Sequence, residues 1–377
     1  MNCLRLLSLT SFVLLTNLAC GPDTWNLQLA TAAAGRQSII NGYACTANEM
    51  ETAVAILVDA EIAFGGYTMP MKSVICTGTL IAPDVVMAAA HCFDPAALTM
   101  GYGTVNRADY YISFATDMAA LAVQQSTDFP EDAAPGASFV VNPEFSLDAM
   151  NDVNGPGDYK DISLLFLVTP VTSIEPEVVI TADEANQVVA DAPVQIAGWG
   201  QQTQTSTGET PPAGTVGIKN CADSFISELA DWELVVGADS STSRKCHGDS
   251  GGPTYLTVDT PHARTRRVIG VTSHAYDMTD CARGGVDTRV DVWLDWIDQE
   301  MQAKCNDGSR SWCQVKGIIP PEHFDPPVQP DAGTSDDNSD NPFEQLGCGC
   351  RSIDQAWADP GLLALAGLAL FRRRARG

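Results

Sequence analysis

Apolar and polar residues alternate over short distances through the middle of the chain. Apolar or β-branched stretches occur at residues 54–58, 163–168, 194–197 and 268–272. Gly, Pro, Asn and Asp separate them and provide the turns. Because many short strands joined by frequent turns are typical of sandwiches and barrels, this pattern predicts an all-β domain. A single helix is predicted at residues 292–301, where Trp293, Trp296 and Ile297 recur at helical spacing.

Both ends of the chain differ from this middle. Residues 1–20 combine Arg5, an apolar run and small residues, which predicts an export signal too short to span a membrane. Residues 21–38 are polar and Ala-rich, as in a pro-segment, and residues 39–302 should form one domain. Residues 303–346 hold a short Cys305–Cys313 loop and, from about 317, an acidic Pro-rich linker that should be extended and disordered.

Composition narrows the possible partners and compartment. The net charge of −26 argues against a nucleic acid partner, because phosphates would be repelled. Twelve cysteines without a C-x-x-C zinc pattern favour disulfides and an oxidising compartment. No segment clearly supplies calcium ligands. We therefore expect neither a metal nor a cofactor.

Three short motifs carry the candidate chemistry. Residues 248–253 read G-D-S-G-G-P, residues 88–92 read A-A-A-H-C, and residues 161–165 read D-I-S-L-L. Together, in the order His, Asp, Ser, they resemble the motifs of the trypsin/chymotrypsin family of serine proteases. The resemblance covers roughly residues 39 to 301. It implies two six-stranded antiparallel β-barrels with the active site between them, followed by a C-terminal helix.

The resemblance assigns a role to each motif residue. It implies that Ser250 is the nucleophile, His91 the general base and acid, and Asp161 the carboxylate that orients the histidine. The backbone N–H groups of Gly248 and Ser250 would form the oxyanion hole. Asp158 lies near Asp161 but fits the motif less well. The acidic stretch at 128–158 is interpreted as an inserted surface loop.

Disulfides and an activation switch follow from the same resemblance. The implied pairs are Cys45–Cys221, Cys76–Cys92 and Cys246–Cys281, and Cys305 and Cys313 remain as a local loop. Ile39 would become a new N-terminus on zymogen cleavage and insert beside Asp249. Ser38 precedes Ile39, so the activating protease would not be trypsin-like, or it would act with a trimming enzyme. The alternative is that no cleavage occurs there.

In the family that the motifs resemble, the residue six positions before the nucleophile lies at the floor of the primary specificity pocket. Here that residue is Arg244, followed by Lys245, where trypsin-like members carry Asp. We therefore expect no preference for Arg or Lys before the scissile bond, and acidic or polar residues instead. Alternatively, Arg244 turns to solvent or pairs with an acid. The other substrate-binding residues that the resemblance implies are Ser273, Ala275 and Gly285, with His274 in the place of an aromatic residue.

The C-terminal segment, 347–377, combines a G-C-G-C motif, an apolar run and an arginine cluster. It resembles bacterial sorting tags of the MYXO-CTERM type, and the alternatives are a plain tail anchor or an amphipathic end. Near the N-terminus, Cys20 is either lipidated or incidental to a secretory signal. This arrangement predicts export and attachment to the cell surface, a sorting enzyme as partner, and membrane contact only through the terminal anchor.

The leading functional hypothesis is an exported, surface-tethered serine endopeptidase made as a zymogen. Its partners would be protein or peptide substrates and an activating protease. A second hypothesis is a catalytically silent homologue that binds peptides. A third is an acyl hydrolase of another type, but the G-x-S-x-G context of such enzymes does not surround Ser250.

Overall fold

A computed structural model describes residues 39–327 except 100, 153, 204–213 and 278–279. The predicted export signal, pro-segment and C-terminal tag lie outside the described residues, and so does the linker after residue 327. One compact unit extends to Pro326. No helix within the described ranges is long and apolar enough to cross a bilayer.

The first half of the compact unit is a closed antiparallel barrel. A short strand β1 (Tyr43–Ala44) precedes it. The barrel strands are β2 (Ala53–Phe64), β3 (Tyr67–Ala82), β4 (Val85–Ala88), β5 (Thr104–Ser113), β6 (Ala134–Val141) and β7 (Ser163–Leu167). They close in the order β2-β3-β4-β7-β6-β5. The apolar run at 54–58 lies in β2, and all of its residues are buried.

The second half is a second antiparallel barrel. Its strands are β8 (Pro193–Gly198), β9 (Asn220–Leu229), β10 (Glu233–Val236), β11 (Pro253–Thr257), β12 (Arg266–Asp277) and β13 (Asp280–Arg289). They follow the order β9-β10-β13-β12-β11-β8, and pairing of β8 with β9 closes the ring. Strand β1 adds to β9 at its outer edge. The predicted double-barrel fold is therefore confirmed.

Helices are few and short. They are α1 (Pro95–Thr99), α2 (Ala119–Ala122) and α3 (Leu294–Asn306), with 3-10 turns at Ala90–Phe93, Leu147–Asp152, Ala185–Gln187 and Pro321–Phe324. The helix predicted at 292–301 is α3, which begins at 294 and continues to 306. Ile297 and Met301, four residues apart on one face of α3, are fully buried in the core.

Two predicted loops are more ordered than their composition suggested. The stretch 128–158 includes β6, which is a barrel strand paired with β5 and β7, so it is not simply an inserted loop. The first part of the predicted linker also folds onto the domain. Its Ile319 and Pro321 are buried. Apolar side chains in these stretches pack against the rest of the domain, and composition alone does not reveal such contacts.

A buried ion pair attaches the C-terminal loop to the first barrel. Arg310 Nε donates to Asp84 Oδ1 at 2.9 Å, and both side chains are fully buried. The other carboxylate oxygen of Asp84 accepts the backbone N–H of Trp312 at 2.6 Å. The segment after residue 302 is therefore part of the compact unit as far as Pro326.

Four disulfides cross-link the described chain. They are Cys45–Cys221, Cys76–Cys92, Cys246–Cys281 and Cys305–Cys313. The first three are the pairs that the family resemblance implied, and the fourth is the expected local loop. Cys76–Cys92 connects β3 to the turn that carries His91, and it therefore restrains a candidate catalytic residue.

Candidate active site

His91 is positioned by the turn that follows β4. The 3-10 turn Ala90–Phe93 carries it, and only 17% of its side chain is exposed. Its backbone N–H donates to Asp161 Oδ1 at 2.9 Å, and its ring Nδ1 lies 2.7 Å from Asp161 Oδ2. Two contacts from one carboxylate fix both the backbone and the ring. Because a carboxylate accepts, Nδ1 carries the proton and Nε2 is left as the free base.

Asp161 lies two residues before the first residue of β7 and is fully buried. Ser273 donates its hydroxyl to Oδ2 of Asp161 at 2.7 Å, and Thr288 donates to its backbone carbonyl at 3.1 Å. Both come from the second barrel, so this carboxylate joins the two halves of the site. Asp158, the alternative, has a 46% exposed side chain and pairs with Lys160 at 3.2 Å. The structure therefore connects His91 to Asp161.

The two groups shift each other's protonation. Burial alone would lower the pKa of His91, but the neighbouring Asp161 carboxylate and its hydrogen bond raise that pKa above its ordinary value. Burial alone would raise the pKa of Asp161, but the ring of His91, the hydroxyl of Ser273 and the backbone N–H of His91 hold that pKa below its ordinary value. The pair therefore favours an ionised Asp161 and an imidazole ready to accept a proton.

Ser250 comes from a loop of the second barrel that is tied to the first. Its carbonyl accepts the N–H of Thr77 at 2.8 Å. Gly251 follows with φ 79°, and a Cβ there would lie 2.3 Å from the Thr77 carbonyl, so only glycine fits. Ser250 and His91 line the same cavity. Within the described chain, the N–H groups of Gly248 and Ser250 donate to no protein acceptor and are available to a substrate oxyanion.

Asp249 turns away from the cavity into the protein. Its carboxylate accepts the N–H groups of Gly200 and Cys246, each at 2.9 Å. Burial raises the pKa of Asp249 to about 7. Ile39 is also fully buried, and the next residue, Ile40, exchanges backbone hydrogen bonds with Arg244 at 3.0 and 3.1 Å. The segment that begins at Ile39 therefore already lies against the loop before Ser250.

The expected role of Arg244 requires correction. Arg244 does not line the cavity. Its guanidinium is buried against backbone carbonyls, donating to Cys281 O and, at 3.1 Å each, to Asp239 O and Thr242 O. A planar cation with five donors is well satisfied by several carbonyls, so neither turning to solvent nor reaching the substrate is observed.

Lys245 lines the cavity instead. Its ammonium lies 2.7 Å from Asp287 Oδ2 and 2.7 Å from the Thr254 hydroxyl, and both charged side chains are fully buried. Gly285 packs against it, since a Cβ there would approach Lys245 Cβ to 2.9 Å. The charge of this lysine is therefore balanced by a carboxylate of the protein.

The remaining lining residues include some that sequence reasoning missed. Of the residues that the resemblance assigns to substrate binding, Ser273 and Ala275 lie in β12 and line the cavity. Gly285 is not among the lining residues but pairs with Ala275 from β13. The other lining residues are Leu147, Met150, Cys246, His247, Thr272 and His274. Leu147 and Met150 belong to the 3-10 turn before Asp161, and no motif marks them. His247 could have been suspected, because it lies one residue before Gly248.

Two groups of cysteine and histidine side chains are close enough to suggest a metal site. They are Cys76, His91 and Cys92, and Cys246, His247 and Cys281. In each group both sulfurs are joined in a disulfide. A disulfide sulfur is not the thiolate that binds a metal, so neither group fits a metal ion.

Two antiparallel barrels, with His91 and Asp161 from one and Ser250 from the other, define the class of chymotrypsin-like folds. The family model Trypsin matches residues 39–297. The chain therefore belongs to the trypsin family.

Individual relatives are distant. Serine protease 56 of Homo sapiens is 28% identical over 243 residues, which are 61% of this chain and 35% of that protein. CLIP domain-containing serine protease HP8 of Bombyx mori is 26% identical over 60% of this chain and 62% of its own length. Trypsin of Sus scrofa is 23% identical over 70% of this chain and 96% of its own length. The match thus covers about a third of the human protein and nearly all of the porcine one.

Proposed function

We propose that this protein is a serine endopeptidase that works through an acyl-enzyme. The observation that carries the proposal is the hydrogen-bonded line from Asp161 to His91, with Ser250 in the same cavity. A serine hydroxyl is a weak nucleophile, and it requires a base whose own orientation is fixed. Here a buried carboxylate fixes that base through two hydrogen bonds.

The chemistry follows from this arrangement. Ser250 Oγ attacks the scissile carbonyl carbon while His91 Nε2 takes its proton, and Asp161 stabilises the imidazolium. The oxyanion accepts the free N–H groups of Gly248 and Ser250. The C–N bond then breaks, and His91 returns the proton to the leaving amine. Water, deprotonated by His91, attacks the acyl-enzyme; the ester bond breaks and Ser250 regains its proton.

A fluorophosphonate probe tests the proposal directly, because it phosphonylates only an activated serine. We expect stoichiometric labelling at Ser250 after processing, and none in a Ser250→Ala variant. A Ser273→Ala variant should label more slowly, because Asp161 loses the hydroxyl that helps to hold it. Absence of labelling in the processed protein would favour the alternative, a catalytically silent homologue that acts as a binding module.

Substrate preference should differ from that of trypsin. Among the described residues, no carboxylate lines the cavity, and Lys245 contributes to its wall. A substrate Arg or Lys side chain would therefore enter without a counter-charge. This supports cleavage at sites other than Arg and Lys.

The proposal also includes proteolytic processing of the chain near both of its ends. The buried Asp249, with its pKa raised to about 7, is suited to receive the ammonium of a new Ile39 N-terminus. The N-terminal signal and the C-terminal tag favour export and tethering at the cell surface by a sorting enzyme. Mass spectrometry of both ends of the mature protein checks this. We expect Ile39 to lead and the chain to end near Cys348–Cys350; an intact 1–377 chain would contradict both.

A further inference from the structure

Histidines are concentrated in the candidate active site. The chain has five, and three of them, His91, His247 and His274, line the cavity. The protein as a whole is strongly acidic, with a net charge of −26. Among the described lining residues, however, none is Asp or Glu. The described lining of the cavity therefore lacks the carboxylates that give the chain as a whole its negative charge.

Most of the basic groups at this cavity already have a protein partner. His91 is bonded to Asp161, and Lys245 to Asp287. The ring Nδ1 of His274 lies 2.7 Å from the carbonyl oxygen of Ala275, and its Nε2 faces the buried Glu233 carboxylate at 3.6 Å. Each of these three side chains therefore already makes a polar contact with another group of the protein.

Two buried ring nitrogens at the cavity make no hydrogen bond within the described residues, Nε2 of His274 and Nε2 of His247. The first still faces the Glu233 carboxylate at 3.6 Å, whereas no acid among the described residues pairs with His247. Burial also lowers the pKa of His247, so the ring is neutral in the unliganded site at neutral pH. Its backbone carbonyl accepts the N–H of Gln201 at 2.7 Å, which anchors the residue beside the oxyanion donor Gly248. A buried polar atom without a partner is costly, and a ligand that supplies the partner removes that cost.

We propose that His247 recognises an acidic side chain, Glu or Asp, on the N-terminal side of the scissile bond. This rests on the proposed endopeptidase function and names the substrate class of the same site. A carboxylate would accept from Nε2–H and favour the protonated ring, giving a charge-assisted hydrogen bond. The other charged groups of this loop are Arg244, Lys245 and Asp249. Arg244 is buried against backbone carbonyls, Lys245 is balanced by Asp287, and Asp249 is turned into the protein against backbone N–H groups.

Protonation of His247 on substrate binding should make the preference for an acidic substrate depend on pH. When a carboxylate binds, His247 takes up a proton that the neutral ring of the free site lacks. The kcat/KM of an acidic substrate should therefore rise relative to that of its amide analogue as the pH falls. A substrate Glu remains ionised above its usual pKa of about 4.3, so the titrating group between pH 5.5 and 8 is on the protein.

The test compares two peptides that differ only in Glu or Gln before the scissile bond. The ratio of their kcat/KM values is measured from pH 5.5 to 8 on the processed full-length protein. Titration of His91 affects both peptides alike and cancels in the ratio. We expect the Glu/Gln ratio to rise about tenfold toward pH 5.5, as for a hydrogen bond that becomes charge-assisted. His247→Gln should abolish the rise, while His323→Gln, at an exposed histidine outside the cavity, should keep it.

The outcomes separate this proposal from the proposed function. A flat ratio in the unmodified protein overturns the role of His247, and so does an equal rise in His247→Gln. The unmodified protein decides the first point even if the variant fails to fold, and His247→Asn offers a second variant. Fluorophosphonate labelling of Ser250 with neither peptide cleaved overturns the acidic preference alone. Absence of labelling in protein that begins at Ile39 overturns the endopeptidase function and this proposal together.

Discussion

Replacing Asp161 by Asn should lower kcat about 10,000-fold at neutral pH while the protein stays folded, as the same change does in other Ser-His-Asp triads. Asp161 accepts from Nδ1 of His91 at 2.7 Å and so keeps the free lone pair on Nε2. An Asn side chain can present its NH₂ group to Nδ1. The ring would then carry its proton on Nε2, where it cannot receive the proton of Ser250.

Asp158→Asn is the matched control. It makes the same chemical change three residues away, at a side chain that is 46% exposed and bonded to Lys160. We expect its kcat to stay within about twofold of the unmodified protein, because surface ion pairs contribute little. Steady-state kinetics on a cleavable peptide and circular dichroism of both variants provide the measurements. Equal losses in the two variants, or none in Asp161→Asn, would contradict the assigned triad.

Replacing Lys245 by Met should destabilise the protein by about 3–5 kcal/mol, the usual cost of removing one partner of a buried ion pair. Lys245 and Asp287 are both fully buried and lie 2.7 Å apart. Among the described residues, Oδ1 of Asp287 already has no hydrogen-bond partner. Without the ammonium, the carboxylate would keep the Thr254 hydroxyl as its remaining side-chain donor. An uncompensated charge in this position is the source of the large effect.

Two further variants isolate that cause. Lys245→Met with Asp287→Leu removes both charges and should recover most of the lost stability. Lys72→Met, at a lysine whose side chain is 37% exposed and lies 3.1 Å from Asp59, should cost less than about 1 kcal/mol. The free energy of unfolding from urea titration measures all three. If the double variant is no more stable than Lys245→Met, lost packing rather than the buried charge is responsible.

The motifs predicted the parts of the site whose chemistry is local. The A-A-A-H-C, D-I-S-L-L and G-D-S-G-G-P segments pointed to His91, Asp161 and Ser250. The structure places His91 and Ser250 at one cavity and hydrogen-bonds Asp161 to His91. Residues of one motif also hydrogen-bond to residues of another. For example, Ser163 of the second motif donates to the carbonyls of Ala88 and Ala89 in the first. The four apolar runs overlap β2, β7, β8 and β12, but β2 and β12 extend well beyond the runs that pointed to them.

Predictions that depended on where a side chain turns were less accurate. Arg244 and Lys245 are adjacent and both basic, so the sequence offered no basis for choosing between them. The structure buries Arg244 among backbone carbonyls and places Lys245 at the cavity wall. Alternation along the loop sends neighbouring side chains to opposite sides. The acid that pairs with Lys245 is Asp287, which is 42 residues away.

The sequence by itself indicated an all-β domain and contained three motifs that resemble those of the trypsin/chymotrypsin family. That resemblance in turn implied the double barrel, the candidate site residues and three disulfide pairs, because the motifs depend on residue types at characteristic spacings. Only the tertiary structure decided the contents of the cavity. Lys245 neutralised by Asp287, and Leu147 and Met150 in the lining, arise from contacts between distant segments. Within the part of the chain that the structure describes, the same packing buries Nε2 of His247 without a hydrogen bond. The folding of residues 303–326 onto the domain was decided in the same way, by the buried Asp84–Arg310 pair. Such contacts depend on how the chain is brought together in space, and no local pattern of residues specifies them.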